Sequence, residues 1–216
     1  MTADAPEALL LVATHCPHCQ TTLDGLSRLV KAGALSRLTV VNLELSPRAP
    51  EASGVRSVPL TRIGPFELMG AQSYAELAHW VELASSAEGR GRYLAHLIET
   101  QRLEQVIEAV RAQPAAMTDL LNLFSATDTP LPARIGVSAV IESVAGEPAL
   151  RAALGQIEAL TLSDSPQVRA DACWFLGLAG DQAALPAVRR LLADANPGVR
   201  EVATEVEGIL RDHPDD

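Results

Sequence analysis

The chain has 216 residues, a formal net charge of −10 and only 3% aromatic residues. The acidic balance argues against nucleic acid and anionic membrane as main partners, because both select basic surfaces. The length suits one large domain or two of ordinary size, and plentiful Ala and Leu beside few aromatics favour helices packed through small side chains.

The longest apolar run, Ala8 to Ala13, falls far short of the ~20 residues that span a bilayer. Met1 to Glu7 carries acidic residues and no Lys or Arg, and the run behind it is too short for a secretory signal. A cytoplasmic protein is expected. A periplasmic one, exported without a recognisable signal, is the alternative.

In chain order, Leu9–Ala13 predicts a strand, and Pro17 to Ala32 a helix with Leu23, Leu26, Leu29 and Val30 at helical spacing. Leu38–Leu43 predicts a second strand, apolar nearly throughout, as a buried parallel strand is. Ser46 to Gly54 is a Pro-containing connection with room for one helical turn. Leu60–Ile63 and Phe66–Met69 form a hairpin around Gly64-Pro65, and Gly70 ends it. Ser73-x-x-Glu76 is a capping box that opens a helix with Leu77, Trp80, Val81 and Ala84 on its apolar face. The predicted order over residues 1–85 is β-α-β-(α)-β-β-α.

Residues 86–91, rich in Ser and Gly, predict a linker. From 92 to 212 only helices are expected: 92–100, 102–112, 115–125, 132–145, 148–161, 166–178, 183–194 and 197–211. Residues 213–216 make a polar tail.

The second half repeats itself. Ser165-Pro166-Gln167-Val168-Arg169-Ala170-Asp171-Ala172 matches Asn196-Pro197-Gly198-Val199-Arg200-Glu201-Val202-Ala203 at a spacing of 31. Leu176-Gly177 precedes the turn between them. Pro in the first helical turn, Val-Arg and the following Ala resemble the HEAT repeat family in its short, two-helix form. Pro132-Ala133-Arg134-Ile135 with Leu150 and Leu154 looks like a more divergent unit. The resemblance implies stacked helix pairs, each burying a face on its neighbour, and a surface for a protein partner. Arg134, Arg169 and Arg200 recur at the repeat spacing and are expected to tie adjacent repeats to carboxylates such as Asp171 or Asp194 rather than to bind phosphate.

The chemistry concentrates in Cys16-Pro17-His18-Cys19, between the first strand and the first helix. A helix N-terminus offers unpaired N–H groups and partial positive charge, which favour a thiolate. The thiolate is the nucleophile, so Cys16 is the expected attacking sulfur and Cys19, one turn in, the resolving one. Pro17 fits the first helical position, where a missing N–H costs little. His18, when protonated, stabilises the Cys16 thiolate, and His15 adds to it. A stabilised reduced form makes the disulfide a stronger oxidant. A lone C-x-x-C also occurs in zinc sites, but those need two more ligands and no second pair follows. Cys173, in Ala172-Cys173-Trp174-Phe175, is expected to be a small buried apolar residue on a helix. His79 and His96 are expected to be surface or packing residues, and no metal site is predicted.

Val58-Pro59 opens the third strand, forty residues after Cys19. With the C-x-x-C and the element order, residues 7–85 resemble the thioredoxin superfamily, and the small glutaredoxin-sized members in particular. The resemblance implies that Pro59 is cis and packs against the redox pair. It also implies that the Val58 backbone and His15 help bind an extended substrate segment by strand addition. The Pro-His dipeptide and the Val before the proline resemble the oxidising, disulfide-forming members, which are exported and carry a helical insertion that this chain lacks. Thioredoxins carry Trp before the first Cys and a buried Asp in the preceding strand; here His15 and Leu10 stand there. Of the glutathione-binding pattern of glutaredoxins, Gly70-Ala71-Gln72-Ser73 resembles only the end.

The expected protein is therefore two-domain: an α/β thioredoxin-like fold followed by an all-α HEAT-like repeat. The expected function is thiol-disulfide oxidoreduction on protein thiols and disulfides. It needs no cofactor besides the Cys16–Cys19 disulfide, with a dithiol electron donor or acceptor and glutathione as a possible co-substrate. The alternatives are an interaction adaptor or redox sensor with little turnover, a glutathione-linked glutaredoxin-type reductase, and a zinc protein.

Overall fold

The computed structural model describes residues 5–212. The chain divides into two compact units, residues 1–92 and 93–216. The polar tail expected at 213–216 lies outside the described residues.

In the first unit, β1 (Glu7–Val12) is followed by α1 (Pro17–Lys31), β2 (Arg37–Asn42), β3 (Leu60–Ile63), β4 (Phe66–Met69) and α2 (Tyr74–Ala84). A short 3-10 turn, Pro50–Ala52, is the only helical piece of the connection after β2. The strands form one mixed sheet in the order β2-β1-β3-β4. β2 runs parallel to β1, with Val12 opposite Asn42, and α1 is the crossover such a pair requires. β3 pairs antiparallel with β1, Leu11 opposite Leu60, and the β3–β4 hairpin completes the sheet.

The apolar run Leu38–Leu43 predicts a buried strand, but β2 is an edge strand. Only β1 flanks it, and Thr39 and Val40 are exposed. Apolar residues in a row do not encode how many neighbours a strand has. The buried strands are β1 and β3, whose Leu10, Leu11 and Ile63 are fully covered.

α1 buries Cys19, Thr22, Gly25, Leu26 and Leu29. A Cβ on Gly25 would press on Leu77 Cδ1 at 2.7 Å, so glycine there lets α1 and α2 approach closely. The capping box of α2 forms as expected: the Glu76 N–H donates to Ser73 Oγ at 3.3 Å, and the Ser73 N–H donates to Glu76 Oε2 at 2.7 Å.

The linker expected at 86–91 is shorter, because α3 (Gly89–Glu99) begins inside it. Gly89 is buried, and a Cβ on it would collide with the Leu83 carbonyl oxygen. This glycine serves close backbone approach, which composition alone does not separate from a flexible linker.

Beyond α3 come α4 (Leu103–Ala112), α5 (Pro114–Ser125), α6 (Leu131–Ser143), α7 (Pro148–Arg151), α8 (Leu154–Leu160), α9 (Pro166–Ala179), α10 (Leu185–Leu191) and α11 (Pro197–Asp212). The second unit holds no strand among its described residues. The single helix expected at 148–161 is two, α7 and α8, interrupted at Ala152-Ala153. Successive helices stack: α5 on α6, α6 on α9, α9 on α11, with α8 against α9 and α10 against α11. One continuous core runs through them, with Met117, Leu120, Val140, Ile157, Leu176 and Val206 among its fully buried side chains. Phe124 and Phe175 meet edge to face inside it, centroids 5.2 Å apart.

Pro166 and Pro197 start α9 and α11, where a missing N–H is harmless. Ser165 and Asn196 precede them at equivalent positions. The Val168 N–H donates to Ser165 Oγ at 3.4 Å, and the Gly198 N–H donates to Asn196 Oδ1 at 2.9 Å. The expected tie between repeats is present at Arg169. Its Nε and Nη2 donate to the two carboxylate oxygens of Asp194, each at 2.8 Å, a bidentate geometry. Arg169 Nη1 also donates to the carbonyls of Ser163 and Asp164, and Arg200 Nη1 to those of Asp194 and Ala195. Each arginine thus fastens the turn that leads into its own helix.

The Arg169 hydrogen bonds, then the Asn196 N–H, hold the Asp194 carboxyl down at about 2, below the ordinary aspartate value. A carboxyl depressed in the folded state stabilises it above the unfolded value, near 4, and loses that contribution as pH falls towards 2. Asp194→Asn is therefore expected to lower the melting temperature at pH 6, and the gap to wild type is expected to shrink between about pH 4 and pH 2. Thermal melts across that range measure it. A gap independent of pH contradicts the assignment.

Candidate functional site

β1 ends at Val12, and the chain turns through Ala13–His15 into α1. Cys16 is the N-cap of that helix, with extended backbone, φ −81° and ψ 108°, and Pro17 is the first helical residue. No side chain caps the helix at this position, so the sulfur of Cys16 sits at the N-terminus without a competing acceptor. The Cys16 N–H donates to the Ala13 carbonyl and the Cys19 N–H to the Cys16 carbonyl, each at 3.3 Å. Cys16 and Cys19 are joined as a disulfide, with Cα atoms 5.4 Å apart, inside the ordinary range for such a bridge.

The two sulfurs differ in access. Cys16 is half-buried, whereas Cys19 is 5% exposed and faces the core side of α1. His15, Pro17 and His18 are all exposed around Cys16. Solvent therefore reaches Cys16 more readily than Cys19.

The Val58–Pro59 peptide bond is cis. Pro59 is buried and Val58 half-buried, and the Gly70 N–H donates to the Pro59 carbonyl at 2.9 Å. The pairing of Leu11 with Leu60 puts the end of β1 and the start of β3 side by side. Val58-Pro59 and the turn that carries Cys16 therefore lie at the same end of the sheet.

Leu10 is fully buried opposite Thr61. The Thr61 hydroxyl is itself buried and has no hydrogen-bond partner.

Two ties around the dithiol have no local sequence signal. In the first, the Thr14 N–H donates to Glu44 Oε2 at 3.0 Å. The Glu44 N–H donates to Asn42 Oδ1 at 3.0 Å, and Asn42 Nδ2 donates to Thr14 Oγ1 at 3.2 Å. This ring fixes the turn ahead of Cys16 to the end of β2. The Thr14 hydroxyl, then its N–H, holds the Glu44 carboxyl below the usual carboxylate range, with His15 adding to the effect. In the second, the Gln72 N–H donates to the buried Thr22 hydroxyl at 3.2 Å, which fixes the loop after β4 against α1.

Other candidates are structural. Cys173 is fully buried in the helical core, and burial pushes its thiol up to about 12. His79 is exposed and packs edge-on against Trp80, centroids 5.9 Å apart. His96 is half-buried on α3, and burial lowers its pKa. Among the described residues, no three His, Cys, Asp or Glu side chains converge in a way that would hold a metal ion. No described helix is long and apolar enough to cross a membrane.

Among curated proteins, none matches the chain. A family model described as HEAT repeats matches residues 148–216, so a HEAT-like repeat covers α7 to α11.

Proposed function

We propose that this chain is a thiol-disulfide oxidoreductase whose first unit is a thioredoxin-like domain and whose helical unit recruits a protein partner. The observation that carries it is the asymmetric dithiol at a helix start: an accessible Cys16 at the N-cap and a shielded Cys19 one turn in, already bridged. The strand order β2-β1-β3-β4 supports it, since the four strands of the expected order β-α-β-(α)-β-β-α close into one sheet. So does the placement of Val58-Pro59 at the sheet end that carries the dithiol. HEAT repeats are commonly protein-interaction modules, which supports the role given to the second unit.

In the reducing direction, the Cys16 thiolate attacks one sulfur of a target disulfide. That S–S bond breaks, the displaced target sulfur leaves as a thiolate and takes a proton, and a Cys16–target disulfide forms. The Cys19 thiolate then attacks Cys16 Sγ and displaces the second target sulfur. The target has gained two electrons, and the chain holds the Cys16–Cys19 disulfide, which a dithiol donor reduces. The same steps in reverse oxidise a target dithiol. The helix N-terminus lowers the cost of the Cys16 thiolate at neutral pH, and the exposed imidazoles of His15 and His18 add to it when protonated.

A sensor or adaptor with little turnover is favoured by one observation, the Leu10–Thr61 pair, which offers Cys19 no carboxylate to take its proton. Turnover separates the readings. Dithiol-driven reduction of a model protein disulfide by wild type, and none by Cys16→Ser, supports the oxidoreductase. Equal inactivity of both supports the sensor. Faster turnover of a glutathione mixed disulfide than of the protein disulfide points to the glutaredoxin type.

A further inference from the structure

We propose that the groove between α6 and α9 docks an amphipathic segment of a partner protein, one that presents aliphatic side chains flanked by Lys or Arg. The proposal rests on the reading that the helical unit recruits a protein, and it names the face and the chemistry.

The groove has a volume of about 430 Å³, room for a few side chains, and Phe124 and Ala139 are among its apolar lining residues. Its α6 wall carries Leu131 and Ile135, one helical turn apart, 69% and 61% exposed. Single exposed aliphatics are ordinary, but two stacked along one groove wall leave apolar surface that a docked side chain would remove from water.

Charge selects the occupant. Glu142 and Asp171 line the groove, one from each helix, against a single lining cation, Arg134. Arg134 Nη2 donates to the Ala126 carbonyl at 2.9 Å, while its Nε is buried without a hydrogen-bond partner. Asp171 is half-buried, and its described hydrogen bonds come from Gln167 Nε2, at 3.0 Å to each carboxylate oxygen. Burial pushes its carboxyl up, which the Gln167 hydrogen bonds and the Arg134 charge offset only in part, so a second cation brought beside it relieves a desolvated anion. The surroundings add to this. Residues 93–216 hold eighteen acidic side chains against nine basic ones, so nine of the ten net negative charges lie there. The net charge of the unit disfavours an acidic segment, and a purely basic one leaves Leu131 and Ile135 uncovered.

The test uses the full chain and a fluorescent Leu/Lys amphipathic helical peptide of roughly 18 residues, five turns. Its Leu/Glu counterpart is the control, at about 150 mM salt, where long-range attraction is screened. Anisotropy titration is expected to show binding of the Leu/Lys peptide only. Ile135→Ser, and separately Glu142→Gln with Asp171→Asn, are each expected to weaken it at least about tenfold. Glu104→Gln with Glu108→Gln, exposed positions on α4 with the same change in net charge, is expected to leave it within about twofold. Ile135 and Glu142 are exposed, so those substitutions leave the core intact, and melting curves verify the fold of every variant. Absence of binding, equal loss with the α4 pair, or preference for the Leu/Glu peptide overturns the proposal. So does a wild-type dimer that Ile135→Ser dissociates, which assigns the groove to a second copy. Disulfide reduction by Cys16 needs no groove, so failure here leaves the redox reading standing, and failure of redox turnover leaves this binding result standing.

Discussion

Cys16→Ser is expected to lower the rate of attack on a model protein disulfide at pH 7 by on the order of a thousandfold or more. The reason is chemical. A serine hydroxyl at a helix N-cap remains protonated near neutral pH, whereas a cysteine there is partly thiolate. The fold should be indifferent to the change, because Ser is among the preferred N-cap residues. Loss of rate without loss of melting temperature in the reduced proteins is therefore the expected pair of results. Cys173 does not rescue the variant. It is fully buried, and its thiol is held up at about 12, so it forms almost no thiolate at pH 7. A Cys16→Ser variant that keeps more than about a tenth of the wild-type rate places the chemistry elsewhere.

Phe175→Ala is expected to destabilise the helical unit by about 3–5 kcal/mol. Phe175 is 1% exposed, and its ring meets Phe124, also 1% exposed, edge to face across α5 and α9. Truncation removes the buried ring and leaves a cavity between helices that both contribute to the core, so collapse around it is incomplete. The lost ring pair contributes about 0.5–1.5 kcal/mol of that total. Against a domain stability of about 5–15 kcal/mol the change is a large fraction. Urea denaturation followed by helical circular dichroism measures it. Leu162→Ala, at a position 73% exposed, is the control and is expected to move stability by no more than about 0.5 kcal/mol. A loss below about 1 kcal/mol for Phe175→Ala means that the ring is not packed as described.

Where the sequence was legible, short-range chemistry decided the outcome. Pro17, Pro166 and Pro197 mark helix starts because proline tolerates only the first turn, and Ser73 with Glu76 marks another because each side chain satisfies the other's backbone N–H. The Pro166 and Pro197 segments also carry the repeat, within the matched residues 148–216. What was hidden depends on tertiary position. Val40 has the residue type of a buried strand but lies on an edge. Gly89 has the residue type of a linker but sits buried against Leu83. Ala152 and Ala153 favour helix, yet α7 and α8 part there, with Leu150 and Ile157 buried on either side of the break.

The candidate site divides in the same way. Cys16 and Cys19 are three residues apart, so their pairing needs only one helical turn. The Thr14–Glu44–Asn42 ring needs the parallel register that sets Val12 against Asn42, and nothing near Thr14 in the chain announces it. The bond from the Gln72 N–H to Thr22 spans fifty residues and depends on how the loop after β4 meets α1. His15 and His18 flank Cys16 closely in sequence, and both are exposed.

The central claim is that Cys16 attacks protein disulfides and Cys19 resolves the product, and trapping with Cys19→Ser tests it most directly. Without the resolving sulfur, the full chain expressed in its native host should accumulate Cys16-linked mixed disulfides with a discrete set of proteins. These are seen on non-reducing gels, released by a reductant, and absent when Cys16→Ser is added. Recovery of no thiol-linked protein from Cys19→Ser, or adducts that persist after Cys16→Ser, contradicts the account.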